Sequence, residues 1–278
     1  MPPASLAEYR VKARNTSVHG ENAIHDDAVA RQYGFRGGLV PGVTVYAYMT
    51  HPLVRDFGTA WLERGTATVR FLKPVLEGEE MITTGNVTAR DANGVALALT
   101  AVTAATPECA TMRATVPAGR PTPVNLNLYG RGPLPDPRPA ATREHLQSLA
   151  ALGTPETLYD DACAAEYLAG VNDPLPLYRG SEGWVHPGFY LNQANRAIDR
   201  NVKMGPWIHV GSVIRHLGPA RMGDTLSTLG KVRSLFDKKA REFVEVDLVI
   251  VATRTSTSAP RPVAHILHTA IYRLPPPA

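Results

Sequence analysis

Two blocks of this sequence occur twice, in the same order and at nearly the same spacing, and a chain that repeats itself folds as repeated structural units. Residues 69–85 read VRFLKPVLEGEEMITTG, and residues 213–230 read VIRHLGPARMGDTLSTLG. Each runs from an apolar stretch to a Pro, then a Gly beside an acid, then a second stretch. Pro74 lines up with Pro219 and Gly78 with Gly223, both 145 residues apart. Upstream, GGLVPGVTVYAYM at 37–49 mirrors EGWVHPGFYLNQA at 182–194, with Gly42 and Gly188 146 residues apart. Single Gly or Pro matches rarely hold one offset across two separate blocks, so the chain is read as a duplication.

Between the copies lies PAGRPTPVNLNLYGRGPLPDPRPA, residues 117–140, too rich in Pro and Gly for a helix or a sheet interior to run through it. This divides the chain into a first domain at 1–116, a linker at 117–150 and a second domain at 151–278. Inside each copy, one helical stretch precedes several strands. Residues 43–49, VTVYAYM, are apolar around the whole circumference of a helix, which calls for burial on every side, with Pro41 and Gly42 at its start. Tyr46, Tyr48 and Met49 are accordingly core residues. TATVRFLKPV, EEMITTGNVTARD, GVALALTAVTA and CATMRATV follow as β-branched runs broken by turn residues, and the second copy offers four counterparts. A helix buried on all sides next to long antiparallel strands has to be wrapped by its sheet. The expected class is α+β, a tandem or double hotdog.

Composition narrows the partners. The 29 Lys and Arg residues against 25 Asp and Glu give a formal charge of +4, but no basic run resembles a nucleic-acid arm, so a small anionic ligand fits better. Cys109 and Cys163 lack metal-ligand spacing, no GxGxxG follows a strand, and no metal or redox cofactor is implied. The first fifteen residues lack a signal peptide's apolar core and no stretch has the length of a membrane span, so a cytoplasmic protein with no membrane partner is expected.

The stretch NAIHDDAVARQYGFRGGLVPG, together with F-x-K-P-V-x-x-G-E at 71–79, resembles the MaoC-like, or R-specific, enoyl-CoA hydratases, whose motif is written G-D-x-N-P-x-H-x-D. The resemblance covers most of the chain outside the linker. It implies a lyase that adds water to, or removes it from, the 2,3-position of an acyl thioester carried by coenzyme A or a carrier protein. His25 falls on the catalytic histidine, Asn22 on the asparagine three residues before it and Asp27 on the following acid. The catalytic aspartate's position, five residues before the histidine, holds Gly20, with Glu21 and His19 on either side as replacement acids. The helix start at Gly42 and Val43 suits the charge that develops on the thioester oxygen, because helix N-termini present free N–H groups.

In the second copy, AGVNDPLPLY at 169–178 keeps the motif's outline, with Val171 aligned to the aspartate and Pro176 to the histidine, and so reads as catalytically empty. It nevertheless places His186, Asn192, Gln193 and Asn195 at or on a central helix, where unsatisfied polar groups are costly, and His186, Asn192 and Asn195 are candidate substrate contacts from the opposite half. Arg70, Lys73 and Arg215 are candidates for phosphate contacts. A plainer reading of His25 puts it in a capping turn with Asp26 or Asp27 as N-cap. Three functional classes stay open: a hydratase or dehydratase centred on His25, another reaction on the same scaffold such as a thioesterase or an isomerase or cyclase, and a noncatalytic acyl-binding subunit. Two hotdogs in one chain form a self-sufficient pseudo-dimer and leave room for a homodimer.

Overall fold

The computed structural model describes residues 4–17, 20–255 and 257–275. They form β1 Ser5–Lys12, α1 Asp27–Gln32, α2 Gly42–Phe57, α3 Thr59–Arg64, β2 Thr66–Phe71, β3 Glu80–Asp91, β4 Gly94–Thr103 and β5 Thr106–Pro117 in the first half. The second half carries α4 Arg143–Ser148, β6 Glu156–Leu158, α5 Asp161–Val171, α6 Pro187–Asn201, β7 Ile208–His216, β8 Thr225–Lys238, β9 Arg241–Thr253 and β10 Arg261–Arg273. All ten strands join one antiparallel sheet in the order β1-β3-β4-β5-β2-β7-β10-β9-β8-β6. That order is a palindrome about the β2/β7 seam, where Thr66–Arg70 pair with Arg215–Gly211. The contact that would join two separate hotdog subunits is therefore made within one chain.

The sheet wraps α2 and α6. In α2 every residue from Val43 to Val54 is buried, the largely apolar stretch 43–49 together with the polar Thr50 and His51. The two helices cross closely because Gly188 lacks a side chain: a Cβ there would stand 2.6 Å from Ala47 Cβ. Linker residues pack back on the second half, where Tyr129 sits in a small cluster with Leu229, Val249 and Val251 and its hydroxyl donates to Asp247 at 2.7 Å. Among the described residues no helix is long and apolar enough to cross a membrane.

Backbone hydrogen bonds set the correspondence between copies. Leu39 N donates to Ile24 O and Val40 N to Val75 O; in the second copy Trp184 N donates to Leu177 O and Val185 N to Ala220 O. Ile24 thus matches Leu177, so His25 matches Tyr178 and Gly20 matches Asp173. This corrects the sequence alignment, which set Pro176 and Val171 at those positions, by two residues. The shift arises because α1 exists only in the first copy. Asp173 of the second copy therefore stands where the first has Gly20, and Tyr178 where the first has His25.

Candidate active site

The segment from Asn22 to Gly42 builds one wall of the site. Asn22 caps the 3-10 turn Ala23–His25, and Asp26 caps α1 by accepting from the Ala28 and Val29 amides at 2.9 and 3.0 Å. Asp27 accepts from the Gly38 amide at 2.7 Å and pins the returning loop. Capping is thus the work of the aspartates, and the imidazole of His25 is used elsewhere. Its Nδ1 lies 2.6 Å from the Leu39 carbonyl, which only accepts, so Nδ1 carries the proton and Nε2 keeps its lone pair. Asn22 Nδ2 donates to Nε2 at 3.3 Å. The same Asn22 amide ties the halves together, donating to the Trp207 carbonyl at 3.0 Å and accepting from the Trp207 amide at 3.2 Å. Burial holds the His25 pKa below the usual imidazole value, opposed by the Leu39 carbonyl, so the ring is neutral near pH 7.

His25 opens onto a cavity of about 350 Å3 between the halves. Its walls are mainly apolar, with Ile24, Leu39, Phe71, Val75, Ile208 and Ile271 among them, and exposed Lys73 stands at its edge. Gly42, at the first turn of α2, also lines it. The first bonds of this helix run from the Thr44 and Val45 amides to the Pro41 carbonyl, and no side chain among the described residues caps it. The Gly42 and Val43 amides therefore have no intrahelical acceptor, and the helix dipole places partial positive charge at the cavity. In the second copy the equivalent end is closed. His186 caps α6 by accepting from the Gly188 amide at 3.0 Å, and a Cβ on Gly188 would lie 2.4 Å from the Tyr167 hydroxyl.

The other candidates separate. Asn195 faces the same cavity, with Oδ1 buried and unpartnered among the described residues. Val43 and Asn192 do not; they line a second cavity of about 640 Å3 with Arg14, Glu166 and Arg196. Glu21 does not line the His25 cavity either: its side chain is 74% exposed and its carboxylate pairs with Arg138 at 2.6 Å. His19 lies outside the described residues. Arg215 donates to the Thr122 carbonyl, and neither it nor Arg70 lines the cavity, whose cations are Lys73 and Arg241.

His186 is wholly buried and belongs to an internal cluster rather than to the cavity. Its Nε2–H donates to Asp173 at 3.2 Å, while His51 Nδ1–H, from α2, donates to the other oxygen at 3.1 Å. With the Leu175 amide as a third donor at 2.9 Å, Asp173 is held well below the ordinary carboxylate range despite its burial. Tyr178, the counterpart of His25, packs obliquely on His186 at 4.5 Å between ring centroids.

Reasoning from the motif missed three cavity-side or supporting residues on strands, His209, Ser212 and His268. His209 Nε2 lies 2.8 Å from Ser212 Oγ, which lies 3.1 Å from His268 Nδ1, and the two rings stack at 3.9 Å. In WIHVGSVIRH the polar His209 and Ser212 stand three residues apart, which regular strand alternation would turn to opposite faces, so the sequence alone does not bring them together.

Neither the family models nor the curated proteins give a match to this sequence. Solved structures do match it over nearly its whole length. A Mycobacterium tuberculosis protein described as having a double hotdog fold superposes with a TM-score of 0.60 at 15% identity, covering 95% of this chain and 93% of that one. The fold is a double hotdog. A Chloroflexus aurantiacus structure assigned as a MaoC domain dehydratase superposes on this double hotdog at TM-score 0.63 and 13% identity, over 96% of this chain and 94% of that one. A Novosphingobium aromaticivorans structure assigned as a thioesterase gives 0.55 at 11% identity, over 98% and 99%. Double hotdogs of this shape thus include proteins assigned to both reactions.

Proposed function

We propose that this double hotdog adds water to, or removes it from, the 2,3-double bond of an acyl thioester, with the chemistry in the first copy. The observation that carries the reading is one cavity holding both a neutral imidazole, whose unprotonated Nε2 has only a long 3.3 Å contact from Asn22, and an uncapped helix N-terminus. The apolar walls take the acyl chain, and the thioester oxygen faces the Gly42 amide. In the hydration direction, His25 Nε2 removes a proton from water as the water oxygen bonds to C3. The double-bond electrons move through C2 onto the thioester oxygen, whose charge the Gly42 N–H stabilises. The imidazolium then returns its proton to C2, which leaves a 3-hydroxyacyl thioester and a neutral histidine. Lys73, at the cavity's edge, suits a phosphate of coenzyme A or of a carrier-protein arm.

A second reading has one observation in its favour. Gly20 removes the carboxyl that would assist at C2, and a single base beside an oxyanion site is enough to direct water at the carbonyl carbon instead, releasing the thiol. Incubating the protein with short, branched and aromatic enoyl, 3-hydroxyacyl and saturated acyl thioesters separates the two. The expected outcome is interconversion of enoyl and 3-hydroxyacyl forms with the saturated compounds untouched. Thiol release from saturated and unsaturated compounds alike would assign a hydrolase.

A further inference from the structure

Strand β7 turns His209 inward, where the sheet packs against the start of α2. The residue is 6% exposed and lines the His25 cavity. Its Nδ1 is buried and makes no hydrogen bond of regular geometry among the described residues, although the Gly211 main chain lies close enough to the ring to oppose its shift. Leaving an imidazole nitrogen bare in an apolar wall is costly, which makes it a candidate for a ligand's bond. Nδ1 lies beside the start of α2: a Cβ built on Gly42 would stand 3.1 Å from it. It therefore adjoins a residue whose main-chain N–H has no intrahelical acceptor.

We propose that His209 Nδ1–H is the second donor of the oxyanion site, so that the thioester oxygen is held between the Gly42 amide of the first copy and an imidazole of the second. The inference rests on the acyl-thioester reading of the cavity and adds a residue to it. A neutral ring performs this role with no proton transferred: in the tautomer the role requires, His209 carries its proton on Nδ1 while Nε2 accepts from the Ser212 hydroxyl, which in turn accepts from His268 Nδ1–H. Ser212 and His268 are positioning residues. Burial, and next His268 itself, hold His209 well below the ordinary imidazole range, so the ring stays a neutral donor at working pH. The arrangement also assigns a use to the second half, whose own helix end is capped by His186.

His209→Phe keeps a ring and removes the donor. An oxyanion donor acts mainly in the transition state, so kcat is expected to fall roughly 100- to 1,000-fold with KM within a few-fold of the parent value. Ser212→Ala, a smaller change, should lower kcat in the same sense, and His209→Asn, whose amide reaches the position of Nδ1, should recover part of the loss. A binding measurement needs no turnover: the carbonyl stretch of a bound, carbonyl-labelled saturated acyl thioester should shift to lower frequency on the parent protein and return toward its free value on His209→Phe. An unchanged stretch and unchanged kcat in His209→Phe, with activity lost in His25→Ala, would overturn this inference and leave the functional reading standing. Failure of the parent protein to bind or convert any acyl thioester would overturn both.

Discussion

Replacing His25 with alanine is expected to lower kcat/KM for the best enoyl thioester by roughly 100- to 10,000-fold, the range usual for loss of a general acid–base group. The histidine is the base toward water and the acid toward C2 in the proposed cycle, and Gly20 offers no carboxyl to take over either step. Folding should survive. The ring is only partly buried, and its removal leaves the Leu39 carbonyl and one Asn22 N–H short of a partner, a cost of about 1–3 kcal/mol. A rate loss accompanied by a near-parent thermal midpoint is therefore the signature. His25→Gln, which has no group that takes a proton at neutral pH, should be as inactive as the alanine variant, and full activity in it would exclude proton transfer at this position.

Acid should weaken the protein before most of its carboxylates titrate. His216 and His268 are fully buried, and burial pushes both pKa values from 6.5 to about 3. Above pH 6.5 each is neutral in the folded and the unfolded chain alike, so neither affects stability. Between 6.5 and about 3 the unfolded chain takes up two protons that the folded chain refuses, so stability falls as pH falls. Two protons correspond to about 2.7 kcal/mol per pH unit, or roughly 5 kcal/mol by pH 4.5, against a total of about 5–15 kcal/mol for a typical protein. His25, His186 and His209 are shifted in the same direction, mainly by burial, and steepen the slope. Asp173 adds its loss only below about pH 4, where the unfolded carboxyl begins to protonate. Urea midpoints measured from pH 7.5 to 4.5 check this. His216→Leu should remove one proton's share of the slope, about 1.4 kcal/mol per pH unit, and a stability flat from pH 7 to 5 would contradict the buried neutral state of these rings.

The fold was legible because duplication leaves marks that burial does not erase. Gly188 lets α6 approach Ala47, and the largely apolar stretch 43–49 of α2 calls for burial on every side. In the site, His25, Asn22, Gly42 and Asn195 could be named because local motif and helix position place them. Val43 and Asn192 were misplaced because a helix buried on all sides presents its faces to two different cavities, and sequence spacing does not say which. Asp173 was hidden by α1, which lengthens only the first copy between His25 and Leu39 and so shifts the motif against the glycine blocks. His209, Ser212 and His268 escaped for another reason. A register shift between Thr269 and Ala270, opposite Gly211 and His209, breaks the simple alternation, so their shared inward face appears only once β7 and β10 are paired.

The most direct test of the central claim is the fate of water in a single experiment: an enoyl thioester that the protein converts is incubated with it in oxygen-18-labelled deuterated water, and the products are read by mass spectrometry and NMR. The account predicts heavy oxygen in a hydroxyl on C3, deuterium on C2 and an intact thioester. Heavy oxygen in a free carboxylate, with the thiol released and the double bond retained, would contradict it.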